Sequence, residues 1–333
     1  MPGKETLLTI SRRTGFSVST VSRALSGKGS SQRISQSTID LIKAEAENCN
    51  YKTNLLAKSL RTRRSKTVGL IVPSVDNPYF ASLASVITGS LKDRGYNLLL
   101  GDSMESVETE EDLVDSFVCQ SVDGLIVVPC GESSAFLEEV GKSLPLVLVD
   151  RYFEKTSLPY VSTNNYEGGF QAADYLLRKG YRNIVAIQGL KTSMPSRERV
   201  RGFEDAVRKW DSEPVRYSIM GSAFSIENGY NCTLEAFSGK KRPDALLALS
   251  VTILQGAVKA LRELGLRIPE DVAVFSYDNN PFLDYLNPPI TRIAQPLSLM
   301  GSTAVDMLLQ VLENATSPQS LLVKPYLITG QSA

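Results

Sequence analysis

Beyond residue 66 the apolar positions alternate between two modes. Four short continuous runs come first: Val68-Gly69-Leu70-Ile71-Val72-Pro73, Tyr96-Asn97-Leu98-Leu99-Leu100, Asp123-Gly124-Leu125-Ile126-Val127-Val128 and Leu146-Val147-Leu148-Val149. Runs of this length predict strands buried on both faces, as in a parallel sheet. Between them, residues 79–94, 107–120 and 133–142 carry apolar residues at helical spacing. A second series follows, with strands at Asn183–Ile187, Val215–Ile219, Ala245–Leu249 and Val272–Tyr277 and helices at 165–180, 196–210, 225–238 and 252–265. Two strand–helix series of matched rhythm predict an α/β body of two doubly wound parallel-sheet subdomains.

Before residue 67 the pattern is purely helical. Leu7, Leu8 and Ile10 form a short stripe that ends at Gly15, although Ser11 and Thr14 stand where small apolar residues would pack better. Gly15 can take the positive φ of a turn between helices, and Ser17 is placed to cap the next one. In that helix Val21, Ala24 and Leu25 fall on one face, with Val18, Ser19, Ser22 and Arg23 outward. The spacing fits an ordinary surface helix as well as one that lies in a DNA major groove. Ser35 caps a third helix with Ile39, Ile42, Ala46 and Cys49 inward. The prediction is an all-α helix-turn-helix head over residues 1–50. Residues 51–66 read as a basic linker, in which Asn54 caps one or two helical turns carrying Leu56, Ala57 and Leu60. So short a helix is marginal alone. The two readings meet in a hinge that folds on DNA, where an apolar side chain can wedge into the minor groove.

Charge separates these parts. The 333-residue chain has no net charge, yet residues 1–66 hold 13 Lys and Arg against 4 Asp and Glu. A basic head on an acidic body points to a polyanion partner at one end only. The loop over 26–33 is basic and flexible but lacks the spacing of a phosphate-cradling loop. There is no histidine, which removes the commonest general base, any Ser-His-Asp triad and the usual transition-metal ligands. Carboxylate-only chemistry is the enzymatic reading that remains. Cys49, Cys119, Cys130 and Cys232 form no C-x-x-C pair and read as reduced thiols. No metal or cofactor is expected. No apolar run reaches the ~20 residues of a membrane span. The first residues lack the apolar core of a signal peptide, so the expected location is the cytoplasm.

Ligands of such sheets bind beyond the carboxyl ends of the strands, and between two lobes the cleft is the default site. Asn77-Pro78 read as N-cap and first residue of a helix, which puts Tyr79 and Phe80 in its first turn. Asp150 and Asp278 each directly follow a predicted strand. Phe80 taken alone is more often a core residue, and Asp150 fits a hinge or an ion pair. A carboxylate facing such a cleft accepts from adjacent hydroxyls and needs a polar ligand.

These motifs together resemble the lactose-repressor (LacI) family of bacterial transcription regulators along essentially the whole chain. The family's head pattern is matched by Gly15-Phe16-Ser17-Val18-Ser19-Thr20-Val21-Ser22-Arg23-Ala24-Leu25-Ser26, Ser35-Gln36-Ser37-Thr38 and Asn50-Tyr51-Lys52-Thr53-Asn54-Leu55-Leu56-Ala57-Lys58-Ser59-Leu60. The resemblance implies Val18, Ser19 and Arg23 as base-reading residues and Thr6, Ser17, Ser22 and Asn54 as phosphate or minor-groove contacts. It implies Leu60, with Ala57 beside it, as the residue that opens the operator's central step. It implies effector contacts at Tyr79, Phe80, Asp150, Arg199, Phe224, Asp278 and Gln295, of which Phe224 taken alone is more often core and Arg199 and Asp278 stand out, because opposite charges facing one cleft need a polar ligand; it also implies a homodimer interface with Leu83, Val86, Ile87 and Leu91. It also implies a periplasmic-binding-protein-like body over 67–333. There the N-subdomain covers about 67–163 and 294–322, and the C-subdomain about 164–291 and 323–333. Three departures are Thr53 in place of the proline before the hinge helix, a longer 26–34 loop, and Ser26 where asparagine is common. Ser250-Val251 stands where the family has Asn-Asp, which removes one polar contact. The implied function is a ligand-responsive repressor that binds double-stranded, pseudo-palindromic operator DNA as a dimer, with a small polar effector, a carbohydrate or derivative. A ligand-dependent activator and a solute-binding protein without DNA function are the alternatives. The second would carry a leader and lack the basic head. The chain ends without heptads, which favours a dimer over a coiled-coil tetramer.

Overall fold

The computed structural model describes residues 5–25, 34–49, 51, 64–313 and 318–333. The chain forms two compact units, Met1–Ser65 and Lys66–Ala333. Asn54, Ala57 and Leu60 lie outside the described residues, as does most of the 26–34 loop.

In the first unit, helices α1 (Leu7–Thr14), α2 (Val18–Leu25) and α3 (Gln36–Asn48) close around Ile10, Val21, Ala24, Ile39, Ile42 and Ala46. Gly15 caps α1 with φ 75°, and its N–H reaches the Ser11 carbonyl. Only a residue without Cβ takes that conformation at no cost. Ser17 Oγ accepts from Thr20 N–H at 3.2 Å and Ser35 Oγ from Thr38 N–H at 3.2 Å, so both hydroxyls cap the helices that follow them. The polar residues of α1 are absorbed locally: Ser11 donates to the Phe16 carbonyl and Thr14 to the Ile10 carbonyl.

The second unit holds two six-stranded sheets. The N-lobe contains β1 (Thr67–Val72), β2 (Asn97–Asp102), β3 (Gly124–Val127), β4 (Leu146–Val149), β5 (Tyr160–Thr163) and β11 (Leu321–Val323). Their order is β11-β5-β4-β3-β1-β2, with every pair parallel. The C-lobe contains β6 (Asn183–Ile187), β7 (Arg216–Met220), β8 (Ala245–Ala248), β9 (Ala273–Tyr277), β10 (Thr291–Ala294) and β12 (Tyr326–Ile328), in the order β12-β10-β9-β8-β6-β7. Here β12 runs antiparallel to β10, so the expectation of a wholly parallel sheet holds for five of its six strands. The chain passes between lobes three times, after β5, after β10 and after β11.

The sheets are covered by α4 (Pro78–Asp93), α5 (Val107–Cys119), α6 (Ala135–Gly141), α7 (Asn165–Arg178), α8 (Met194–Lys209), α9 (Ile226–Phe237), α10 (Val251–Glu263) and α11 (Leu297–Leu312). Helix α11 follows a C-lobe strand but packs in the N-lobe core through Met300, Ala304, Val305 and Leu308. Sequence periodicity finds eight of the twelve strands among the described residues and misses β5, β10, β11 and β12. The missed ones are three or four residues long. Strand β10 also carries Arg292, which is 2% exposed and held by Asn279, Asp284 and the Ile290 carbonyl. A charged residue saturated by tertiary partners cannot be told from a loop residue by periodicity.

One expectation fails on packing. Leu83, Ile87 and Leu91 are fully buried in the N-lobe core. Val86 is half-buried and lies against Gly301 of α11. These α4 residues face their own lobe, so Leu83, Ile87 and Leu91 cannot meet a partner subunit.

Candidate functional site

The two sheets share one strand order, which makes β4 the counterpart of β9. Asp150 follows β4 with φ 66°, and Asp278 follows β9 with φ 73°. Aspartate is one of the few residues that visit this region, at a cost of ~1 kcal/mol. The same local turn therefore carries two carboxylates to the lips of one cleft, one from each lobe.

The cleft is lined by Asn77, Tyr79, Phe80, Asp150, Arg151, Pro195, Arg199, Phe224, Ser250, Asp278 and Gln295. Each loop has a local cause. Asn77 caps α4 by accepting from Tyr79 N–H at 3.0 Å, which turns Tyr79 and Phe80 inward. Gln295 sits on the second crossover, between β10 and α11. Tyr79 donates to Asp150 Oδ1 at 2.5 Å and lies 3.2 Å from Gln295 Oε1, while Gln295 Nε2 donates to Asp278 Oδ1 at 2.6 Å. Tyr79 has a single hydroxyl proton for which Asp150 and Gln295 Oε1 compete, so the aspartates of the two lobes are neighbours through these side chains but not ends of one continuous hydrogen-bonded chain. Burial pushes the Asp150 carboxyl above its usual range, against the Tyr79 hydrogen bond and the two nearby arginines. Burial, then the neighbouring carboxylates, raise Tyr79 well above 10, so it stays a neutral donor.

Arg199 is 4% exposed and largely committed to its own lobe. Its Nε donates to Asn165 Oδ1 at 2.8 Å, its Nη1 to the Leu249 carbonyl at 2.7 Å, and its guanidinium lies 3.7 Å from the centre of the Tyr277 ring. Nη2 stops 3.9 Å from Asp278 Oδ1, too far for a hydrogen bond. Two buried charges thus face each other with their direct bond unmade. The empty space between these groups is about 20 Å³, enough for one water-sized group.

All seven effector residues expected from the sequence line this cleft. Phe80 also belongs to the N-lobe core, and Phe224 packs on the C-lobe core, so their core reading holds as well. Ser250 caps α10 through Ile253 N–H, and the backbone N–H of Val251 reaches Asp278 Oδ2 at 3.3 Å. Arg151 was not legible. It is 5% exposed, paired in two parallel bonds with Glu105 at 2.8 and 2.7 Å, and its guanidinium is 5.8 Å from the Phe80 ring and 5.7 Å from the Phe224 ring. It links aromatic rings of opposite lobes. Its position directly after Asp150 was the only available signal.

Behind this loop, Glu110 is 3% exposed and accepts from Cys130 N–H at 2.8 Å. Burial pushes Glu110 up to about 7 and the Cys130 thiol up to about 12. A carboxyl whose folded value lies above its unfolded one stabilises fully below pH 4.5, and that contribution is lost as pH rises through about 7. Glu110→Gln is therefore expected to be more stable than the wild type at pH 8, by up to ~3 kcal/mol, and level with it near pH 4. Thermal melts at the two pH values check this; a pH-independent difference would contradict it.

On the head, Thr6, Ser17, Val18, Ser19 and Arg23 are exposed and Ser22 is half-buried. Val21 and Ala24 are buried, so the outward face of α2 carries Val18, Ser19, Ser22 and Arg23. Thr6 is the N-cap of α1 and accepts from Thr9 N–H. Among the described residues no helix is long and apolar enough to cross a membrane, and no cluster of His, Cys, Asp or Glu could hold a metal.

Residues 173–333 match the family described as periplasmic binding protein-like domain. The ribose operon repressor of Haemophilus influenzae is 29% identical over 329 residues, covering 98% of each chain. The transcriptional repressor PurR of Escherichia coli O139:H28 is 30% identical over 333 residues, covering 98% of this chain and 96% of its own. Among solved structures, the Lac repressor dimer bound to operator and the anti-inducer ONPF superposes over 99% of both chains with a TM-score of 0.88, at 23% identity.

Proposed function

Since the chain belongs to the LacI family of transcription repressors, we propose that it binds a pseudo-palindromic operator as a homodimer and that a small sugar in the interlobe cleft sets its DNA affinity. The observation that carries the effector reading is the Arg199–Asp278 pair, both 4% exposed and 3.9 Å apart. A sugar hydroxyl accepts from a guanidinium and donates to a carboxylate at once, so it completes the pair. Phe80 and Phe224 supply apolar faces for the ring's C–H surface. The relative named for a ribose operon supports a pentose. Acting on operator DNA, the protein belongs in the bacterial cytoplasm.

In the head, Val18, Ser19 and Arg23 read bases in the major groove, Thr6 and Ser17 contact phosphates at the starts of α1 and α2, and Ser22 contacts a phosphate from within α2. Asn54, Ala57 and Leu60 act in the minor groove. The dimer is assigned to the apolar side chains exposed around Asp102, namely Val75, Leu100, Met104 and Val107. The cleft as it stands has room for one water-sized group, so a sugar enters with the lobes further apart and binding changes their closure; a difference of ~1–3 kcal/mol between closure states alters DNA affinity about 5- to 150-fold.

The test is to select duplexes from a random pool with the purified protein, then measure anisotropy titrations with and without D-ribose. Selection of no inverted repeat would sink the reading. Leu60→Ala should weaken the selected duplex at least about tenfold while barely changing binding to unrelated DNA, because opening a base step is worth a few kcal/mol. Equal losses on both duplexes would remove Leu60 from that role.

A further inference from the structure

We propose that Glu105 is a positioning residue for the interlobe cleft: it holds the Arg151 guanidinium between phenylalanines of opposite lobes and so sets how readily the lobes part. The latch itself needs no ligand; its consequence for effector binding rests on the cleft reading above.

Arg151 follows β4 in the N-lobe and has a ring from each lobe beside it, Phe80 at 5.8 Å and Phe224 at 5.7 Å. Neither ring is free to follow the other. Phe80 is buried in the N-lobe core. Phe224 fills the space beside Gly189 of the C-lobe, where a Cβ would fall 2.2 Å from its ring. Opening the lobes therefore draws Phe224 away from Arg151.

A guanidinium on a flexible stem would otherwise swing between partners. Glu105 prevents this: two parallel bonds at 2.8 and 2.7 Å fix the plane of the group, and the Pro129 carbonyl stands 3.5 Å from Nη1. Arg151 is buried, and a cation over a ring is held most strongly where water is excluded.

The backbone that delivers Glu105 is unusual. Met104 and Glu105, consecutive and neither of them glycine, take φ of 52° and 55°. Left-handed residues of this size persist only where their surroundings enforce them, and such strain collects where geometry serves function. Here Asp102 Oδ1 accepts from Met104 N–H at 2.9 Å, and Glu105 N–H donates to the Pro73 carbonyl at 2.9 Å. The loop between β2 and α5 is thus held in the shape that aims Glu105 at Arg151.

The empty space in the cleft holds one water-sized group, so an effector enters only after the lobes part. The factor by which the latch favours closure therefore lowers effector affinity.

Hydrogen exchange of the ligand-free full chain tests this, read at cleft amides such as Asp150 and Val251. In Glu105→Gln these should exchange about 2- to 30-fold faster, the worth of one cation–π contact, with strands β1 and β8 unchanged. Phe224→Leu should do the same. The double variant should open no further than Phe224→Leu alone, since Glu105 acts through that ring. Unchanged cleft exchange in Glu105→Gln overturns the proposal, and so does a rise spread over the whole N-lobe, the mark of a merely structural ion pair. Additive effects in the double variant overturn the route through Phe224. Calorimetry with D-ribose reads the consequence: Glu105→Gln should bind it tighter by the same factor, and weaker binding overturns that consequence. A wild type that binds no D-ribose overturns the pentose reading, while the exchange still decides the latch.

Discussion

Asp278→Ala is expected to abolish the effector's influence on operator binding, with effector affinity falling ~100-fold or more, since hydrogen bonds to a charged acceptor contribute ~1.5–3 kcal/mol each. The reason lies in how many elements meet at this carboxylate. It accepts from Gln295 on the second crossover, lies beside the Val251 N–H at the start of α10, and faces Arg199 at 3.9 Å. Gln295 in turn lies 3.2 Å from Tyr79, which donates to Asp150 of the opposite lobe. Without it, the ligand loses its acceptor in the C-lobe and Gln295 Nε2 loses its acceptor as well. Arg199 keeps Asn165 and the Leu249 carbonyl, so the guanidinium retains partners and the lobe should still fold. Asp278→Asn keeps the shape and removes the charge; it should recover melting temperature but not ligand affinity. Anisotropy of operator binding with and without effector gives the result. A response of normal size in Asp278→Ala would take this residue out of the site.

A large effect on stability is expected at Gly202. A Cβ there would fall 2.0 Å from the Tyr166 carbonyl oxygen and 2.8 Å from Phe170 N. The opposing Gly169 is as tight, with a Cβ 2.0 Å from the Arg199 carbonyl oxygen. Helices α7 and α8 thus touch backbone to backbone, with no flexible side chain to yield. Gly202→Val must push α8 away from α7, and overpacking that moves backbone costs ~3 kcal/mol or more. In a unit of this size that lowers the melting temperature by roughly 6–12 °C. Because Arg199 lies less than one turn before Gly202, the displaced helix should also weaken effector binding. A melt within a degree of wild type would show that the helices separate freely.

The separation between what was legible and what was not follows from the range of each interaction. Continuous runs such as Leu146–Val149 announced buried strands, because a strand covered on both faces needs apolar residues at every position. The caps of α2, α3 and α4 were visible as Ser17, Ser35 and Asn77, because capping is settled within three residues. Strand β10 was hidden by Arg292, whose acceptability depends on Asp284 and Asn279 being folded against it. Helix α4 shows the limit from the other side. Its apolar stripe was plain, but a stripe gives no indication of whether it meets its own lobe or a second subunit; Leu83, Ile87 and Leu91 meet their own.

The cleft divides in the same way. By itself the sequence determined a basic helical head, a two-series α/β body, and aspartates placed directly after strands, since hydrophobic period, capping and net charge are local or additive properties. Only the tertiary structure decided that Asp150 and Asp278 occupy counterpart positions in two sheets of one strand order. It also decided that Arg151 pairs with Glu105 between rings of opposite lobes, and that Arg199 stops 3.9 Å short of Asp278. Those are distances between residues far apart in the chain. They are fixed by three crossovers and by close helix packing, and neither leaves a periodic mark on the sequence.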